Sequence, residues 1–383
     1  MNGKVESAVR PDDDGRTARA ASAAGAGAGS AGDVGAAGTG GVVHAGERGG
    51  IKVRERRKVG GGLLGRLYAK HPAQVLIVVS ELVLVAVFAV ASPYFLDLGN
   101  MSALLLDASV YILLALGLTF VIATGGIDLT PGFGMAFTGV IAALAMTKVG
   151  GPMGLAIAAG VLAGILAGLV LGVVNGFLVA KLNMQPMVAT LAMMLVAWGA
   201  ALSITGTSSI PLNDFGPFLA LGNGKTFGLT NAIYLCILAA VVAHFLLKHT
   251  LIGRYALAMG SNEEATELSG VNVQRWKWRV YALAGTFTGL AGVLMASRLA
   301  SGKPDVGQSY EMYAIAAAVL GGASLRGGNA SVFGSVVGAI LIATIRNGAV
   351  HLGMSDQNQK IVLGIIVLIA VFVDVRRKPK AAA

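Results

Sequence analysis

A single cysteine, Cys236, stands in 383 residues. It excludes an internal disulfide and any metal cluster built on cysteine. Charge is scarce as well: Asp, Glu, Lys and Arg together make up 13% of the chain, against roughly 25% in an average soluble protein. Apolar residues reach 55%, and the mean hydropathy of +0.74 exceeds what a water-soluble fold can cover with polar surface. A soluble enzyme and a disulfide scaffold are excluded on these grounds. The net charge of +10 does not indicate a nucleic-acid binder either. The basic residues cluster beside apolar spans, where they orient a membrane protein, so no nucleic-acid partner is expected. The chain reads as an all-α polytopic membrane protein, with lipid as its surroundings.

Residues 1–50 are mostly Ala, Gly and Asp. Such a composition buries too little apolar surface to offset chain entropy, so disorder is expected there. The segment lacks the continuous apolar core of a signal peptide. Its Asp12-Asp13-Asp14 triplet reads as a solvated charge run rather than a metal site. Lys52, Arg54, Arg56, Arg57 and Lys58, followed by Arg66 and Lys70, directly precede the first apolar run. That placement retains the N-terminus in the cytoplasm. The expected organisation is a cytoplasmic tail over 1–70, ending in this basic cluster, and a transmembrane domain over 71–378.

A spanning helix needs about 20 predominantly apolar residues. About ten stretches qualify, at roughly 76–95, 103–124, 131–147, 153–178, 187–205, 231–248, 279–297, 311–323, 331–349 and 359–374. An even number puts both termini on one side. With the N-terminus inside, the inner side receives the basic cluster, Lys181, Lys248, Arg254, Arg275, Lys277, Arg279, Arg326 and the run Arg376-Arg377-Lys378. The outer side receives Lys148, Lys225, Arg298, Lys303, Arg346 and Lys360. The excess of inner cations supports N-in and C-in. Trp276 and Trp278 fit an interfacial aromatic anchor. Gly160, Gly164, Gly168 and Gly172, and likewise Gly285 and Gly289, are spaced to let helix backbones approach closely, a packing signal rather than a ligand site.

Two motifs carry most of the functional information. The first is Gly125-Gly126-Ile127-Asp128-Leu129-Thr130-Pro131-Gly132, between the second and third stretches. A carboxylate at membrane depth is expensive and is either functional or locally paired. Asp128 therefore either serves a solute path or holds a tight turn, with Thr130 suited to cap the next helix and Pro131 to start it. A similar spacing returns at Gly321-Gly322-Ala323-Ser324-Leu325-Arg326-Gly327-Gly328. The second motif lies in the inner loop 249–278: Gly260-Ser261-Asn262-Glu263-Glu264-Ala265-Thr266-Glu267-Leu268-Ser269-Gly270-Val271. Ser261 or Asn262 can cap a short helix whose first-turn acids suit the helix dipole, and Gly270 can end it. Such a helix offers a surface to a partner protein, or else is a solvated connector.

Other candidates are weaker. Gly224-Lys225-Thr226 imitates the end of a phosphate loop, but the glycine required five positions before Gly224 is Leu219. No nucleotide site, and hence no cofactor, is expected in this chain. Glu81, Asp107 and Asp128 are the acids near spans and His244 the histidine within one, too few for a proton relay.

Taken together, several elements match one pattern in order and spacing: Asp128 in its GGIDLTPG setting, Asn175-Gly176, Pro186 with Thr190-Leu191, and the Glu264-containing loop. Tyr310-Glu311 with Ile315-Ala316, the GGASLRGG segment, Asn347-Gly348 and terminal Asp374 belong to it too. Over about residues 75–378 the chain resembles the permease subunits of bacterial ribose-type sugar importers of the ATP-binding cassette class. The resemblance implies a ten-helix importer permease fold in the bacterial inner membrane. It implies four kinds of partner or product relation: cytoplasmic ATP-binding subunits that hold the ATP, a periplasmic sugar-binding protein, a second permease subunit (most simply a second copy), and a monosaccharide as solute. It assigns Asn262, Glu263, Glu264, Ala265, Glu267 and Gly270 to the loop that docks on the ATPase. It places Gly125, Gly126, Asp128, Asn175, Thr190, Glu311 and Asn347 in pathway or turn motifs. Departures are Thr266 where alanine is usual, Thr130-Pro131 where Ser-Val is common, and Ala192 where glycine is usual. Two alternatives stay open: an ion-coupled secondary transporter, and the same importer class carrying branched-chain amino acids.

Overall fold

The computed structural model describes residues 72–376. The expected tail over 1–70, with its acidic triplet and basic cluster, lies outside the described residues, as do Arg377 and Lys378. The described chain is helical: α1 (Pro72–Ala91), α2 (Leu98–Ala123), α3 (Pro131–Lys148), α4 (Met153–Ala180), α5 (Pro186–Thr205), α6 (Gly216–Asn223), α7 (Asn231–His249), α8 (Leu251–Ser261), α9 (Glu263–Leu268), α10 (Val273–Leu299), α11 (Tyr310–Leu320), α12 (Val332–His351) and α13 (Asp356–Arg376). Four two-residue strands complete it. β1 (Ile210–Pro211) pairs antiparallel with β4 (Ser301–Gly302), and β2 (Lys225–Thr226) with β3 (Leu229–Thr230). The false phosphate-loop motif thus lies in a small hairpin rather than at the N-terminus of a helix.

Among the described residues, seven helices are long and apolar enough to cross a membrane: α1 from Gln74, α2, α4, α5, α7, α10 and α12. Each of the ten expected stretches falls on a helix, but they are not equal in reach. The stretch expected at 311–323 is the 11-residue α11, which rises only about 16 Å, half of a hydrocarbon core. Ser309, at a φ of 69°, and the Gly321-Gly322 turn confine it at either end. The third and tenth stretches are α3 and α13, of 18 and 21 residues, which lie outside the seven. The loop expected over 249–278 is corrected too. Most of it is helix, and α10 already includes Arg275, Trp276, Lys277, Trp278 and Arg279 in its first two turns.

Burial sorts the helices. Every residue of α2 from Ala108 to Ala123 is buried, as expected for a helix that is apolar all round. By contrast α1 exposes Leu82, Val83 and Val90, and α4 exposes Leu155, Leu162 and Val170. Apolar surface on this scale is what lipid covers. The opposite face of α4 carries Gly160, Gly164, Gly168 and Gly172, all buried. A Cβ on Gly168 would lie 2.6 Å from the Gly289 Cα, so α4 and α10 meet backbone to backbone.

Candidate functional site

The turn between α2 and α3 is the best-specified polar structure in the described residues. Thr124 closes α2, with its hydroxyl donating to Val121 O at 2.7 Å. Gly125 then takes a φ of +79°, a conformation that costs glycine little and other residues more. Asp128 is 2% exposed, and its Oδ1 accepts the Thr130 N–H at 2.9 Å. The expectation that the Thr130 side chain caps α3 is corrected: its hydroxyl makes no capping bond, and Pro131 fills the first turn where no donor is needed. Thr130 Oγ1 donates instead to Thr190 O at 3.1 Å.

Asn175 and Thr190 converge on this turn from α4 and α5. Asn175 Nδ2 donates to Thr130 Oγ1 at 2.6 Å and reaches Asp128 Oδ1 at 3.5 Å. Thr190 Oγ1 accepts the Leu129 N–H at 3.0 Å and donates to Pro186 O at 2.9 Å. Three of the expected motif residues, Asp128, Asn175 and Thr190, therefore form one buried knot that ties α3, α4 and α5 together. Tyr281 on α10 adjoins it, its hydroxyl 2.7 Å from where a Gly126 Cβ would sit. Sequence reasoning missed Tyr281, because a tyrosine inside an apolar helix carries no signal that separates it from packing. The Asn175 Oδ1 and Tyr281 hydroxyl have no hydrogen-bond partner among the described residues. Asp128 Oδ1 accepts from the Thr130 backbone and lies within reach of the Asn175 amide, the geometry of a carboxylate that holds a turn.

The second motif folds as the short helix α9. Asn262 Oδ1 caps it by accepting the Ala265 N–H at 2.9 Å, and Gly270 follows its end at a φ of +83°. Thr266 is buried, and its hydroxyl is satisfied by Asn262 O at 2.7 Å, so this departure from alanine is accommodated locally. Glu263 pairs with Lys277 at 2.6 Å, fixing α9 to the start of α10. Glu264, Glu267 and Leu268 remain exposed, Leu268 at 82%.

A junction of glycines joins the two motifs. Gly328 N donates to Ala123 O at 3.0 Å, and Gly260, at the end of α8, is pressed against both groups. A Cβ on Gly260 would fall well inside contact distance of Ala123 O and Gly328 N, and 2.8 Å from the Gly327 Cα. A Cβ on Gly327 would be 2.8 Å from Gly125 N. Thus the Gly125-Gly126 turn, the Gly327-Gly328 turn and the segment leading into α9 touch at one end of the bundle.

Glu311 reaches the end of the first motif, whereas Asn347 lies elsewhere. Glu311, on the first turn of α11, packs on Gly132 and is 8% exposed. Asn347, near the far end of α12, forms a reciprocal amide pair with Asn100, at 2.8 and 3.0 Å. Also at that end, Asp107 pairs with Arg298, and Arg346 bonds the Tyr111 hydroxyl while stacking 5.3 Å over the Tyr313 ring. The sequence hinted at this cluster only through lone cations beside apolar runs. His244 is exposed on α7, and among the described residues no group of three His, Cys, Asp or Glu could hold a metal ion.

Residues 100–371 match the family model described as the branched-chain amino acid transport system / permease component. The chain is 38% identical over 315 residues to the ribose import permease protein of Escherichia coli (strain K12), covering 78% of this chain and 93% of that one. It is 42% identical over 295 residues to the ribose import permease protein of Bacillus subtilis (strain 168), covering 76% and 89%. Against the L-arabinose transport system permease protein of Escherichia coli (strain K12) it is 38% identical over 293 residues, covering 76% and 87%. No solved structure matches the chain.

Proposed function

We propose that this chain, which belongs to the branched-chain amino acid transport system / permease component family, is the membrane-spanning permease subunit of an ATP-driven monosaccharide importer. It is a multi-pass protein of the bacterial inner membrane. The observation that carries the solute class is the identity of 38–42% to ribose and arabinose permeases over 76–78% of the chain. The family description also covers branched-chain amino acids, but these relatives favour a sugar.

The finer reading adds ten membrane-embedded helices with both ends inside, cytoplasmic ATP-binding subunits, a periplasmic binding protein and a second copy of the chain. The Ala123, Gly260 and Gly328 contacts group at one end of the bundle, and Asp107, Arg298 and Arg346 at the other. Exposed Glu264, Glu267 and Leu268 on α9 suit a helix that receives force from a partner. The close seat of Gly260 on Ala123 and Gly327-Gly328 supplies a path from α9 to the end of α2 and to the α11–α12 turn. The Asp128 knot then carries that displacement to α3, α4 and α5. A partner that moves α9 can shift the bundle only through contacts that differ between two states, so the path must change as well as connect. This chain binds and hydrolyses no ATP in the scheme; the partners do.

Reconstitution tests it. Alone in vesicles, the protein shows neither ATPase activity nor concentrative uptake, even with an imposed proton or sodium gradient. Adding the cognate ATPase and binding protein yields uptake of a small neutral sugar, and Glu264→Lys abolishes that uptake while insertion is retained. Accumulation driven by an ion gradient without partners would refute the importer and support a secondary transporter.

A further inference from the structure

At the end of the bundle where α4 finishes and α10 begins, the two helices enclose a groove of about 720 Å³. It is lined by Val173, Val174, Phe177 and Lys181 on the α4 side and by Asn272, Arg275 and Trp278 on the α10 side. The order along each helix matters. On α4 the apolar residues come first and Lys181 follows Phe177 by one turn, about 6 Å farther out. On α10, which runs the opposite way, Trp278 is level with Gly176 and donates its indole N–H to Val173 O at 3.0 Å. Arg275 lies one turn outward from it. The groove therefore passes from an apolar wall, through an indole, to two cations. Both cations lie at the ends of helices long and apolar enough to cross a membrane, hence at a bilayer surface whichever side that is.

Among the described residues no carboxylate engages either cation. Ion pairs among the described residues join Lys277 to Glu263, Arg298 to Asp107 and Lys360 to Asp356, leaving Lys181 and Arg275 without a carboxylate. No acidic residue lines the groove. Both cations are exposed and flank an apolar slot. We propose that this groove is a binding site for an anionic phospholipid. One acyl chain lies along Val173, Val174 and Phe177, the indole of Trp278 sits at the level of the glycerol backbone, and Lys181 and Arg275 hold the phosphate from two sides. Basic pockets between spanning helices select anionic headgroups in this way. The apolar wall selects a lipid over a soluble phosphate, and two unopposed cations select an anionic lipid over a zwitterionic one.

Brominated phospholipids quench tryptophan on contact, which makes Trp278 the reporter. The full chain is reconstituted in phosphatidylcholine vesicles containing, at equal mole fraction, either brominated phosphatidylglycerol or brominated phosphatidylcholine. Phosphatidylglycerol is expected to quench in preference, with an apparent affinity about thirtyfold higher from two surface cations. The preference falls to near unity in Lys181→Gln/Arg275→Gln and disappears in Trp278→Phe, which keeps the cations and leaves Trp198 and Trp276 as controls. Unchanged size-exclusion elution identifies folded variants. Equal quenching by the two lipids overturns the proposal, as does a preference that survives the double substitution. Displacement by inorganic phosphate would make the groove a soluble-anion site instead. A disulfide between copies through Phe177→Cys in a Cys236→Ser background would assign it to contact between permeases. Either result refutes the lipid.

Discussion

Gly260→Ala is the sharpest perturbation available, because it adds one methyl group where three backbone segments already touch. The new Cβ would collide with Ala123 O and Gly328 N and lie 2.8 Å from the Gly327 Cα, whereas real Cβ atoms keep at least 3.0 Å. All three obstacles are backbone, so no side-chain rotation can make room. Overpacking of this kind costs roughly 1–3 kcal/mol. Prising the turn away also strains the 3.0 Å bond from Gly328 N to Ala123 O, a loss of about 0.5–1.5 kcal/mol. Against this, alanine in a helix gains about 0.5–1 kcal/mol over glycine. The net cost is about 0.5–4 kcal/mol, concentrated where the segment leading to α9 meets α2. Gly199→Ala is the control, since Gly199 is also helical and a Cβ there meets nothing within 4 Å. Detergent-solubilised yield and thermal stability report the packing cost, and ATP-driven sugar uptake in vesicles reports the coupling. Gly260→Ala should lose uptake by a larger factor than it loses yield, while Gly199→Ala lowers neither and gains the helix-propensity term. Equal stability and equal uptake for the two variants would refute both the tight seat and the force path drawn through it.

Asp128→Asn keeps an oxygen for the Thr130 N–H and should leave yield and uptake near wild type, whereas Asp128→Leu strands that buried donor at about 1–3 kcal/mol and should lower the folded yield. Loss of uptake at normal yield in both variants would instead give the charge a role in the solute path. For the Asn100–Asn347 pair, single alanine variants each orphan an amide, so the double variant should cost less than the sum of the singles, with a coupling of about 0.5–3 kcal/mol in thermal unfolding. Strict additivity would show that the two amides do not depend on each other.

Several features could be read without coordinates because they are local. Whether a run such as 231–248 partitions into lipid depends on its own length and polarity, and the helix there is Asn231–His249. Caps are equally local: Asn262 and Gly270 bound α9 because an acceptor side chain and a residue free to take positive φ are needed within a few positions of the helix. Thr130 misled for the same reason in reverse. Its hydroxyl was drawn to the Thr190 carbonyl 60 residues away, a competitor no local rule contains. The short reach of α11 was also hidden, since composition records how apolar a stretch is but not where neighbours force it to turn. Other features belonged to the tertiary structure alone. Asp107 and Arg298 are 191 residues apart, and nothing near either names the other. Gly260, Ala123 and Gly328 likewise reveal their junction only once packed, because closeness between distant segments is set by how helices stack and not by any one helix. The sequence by itself determined which segments are apolar enough to favour lipid, since transfer from water to lipid is decided residue by residue; which glycines must remain glycine was decided by the fold, since a clash takes two segments.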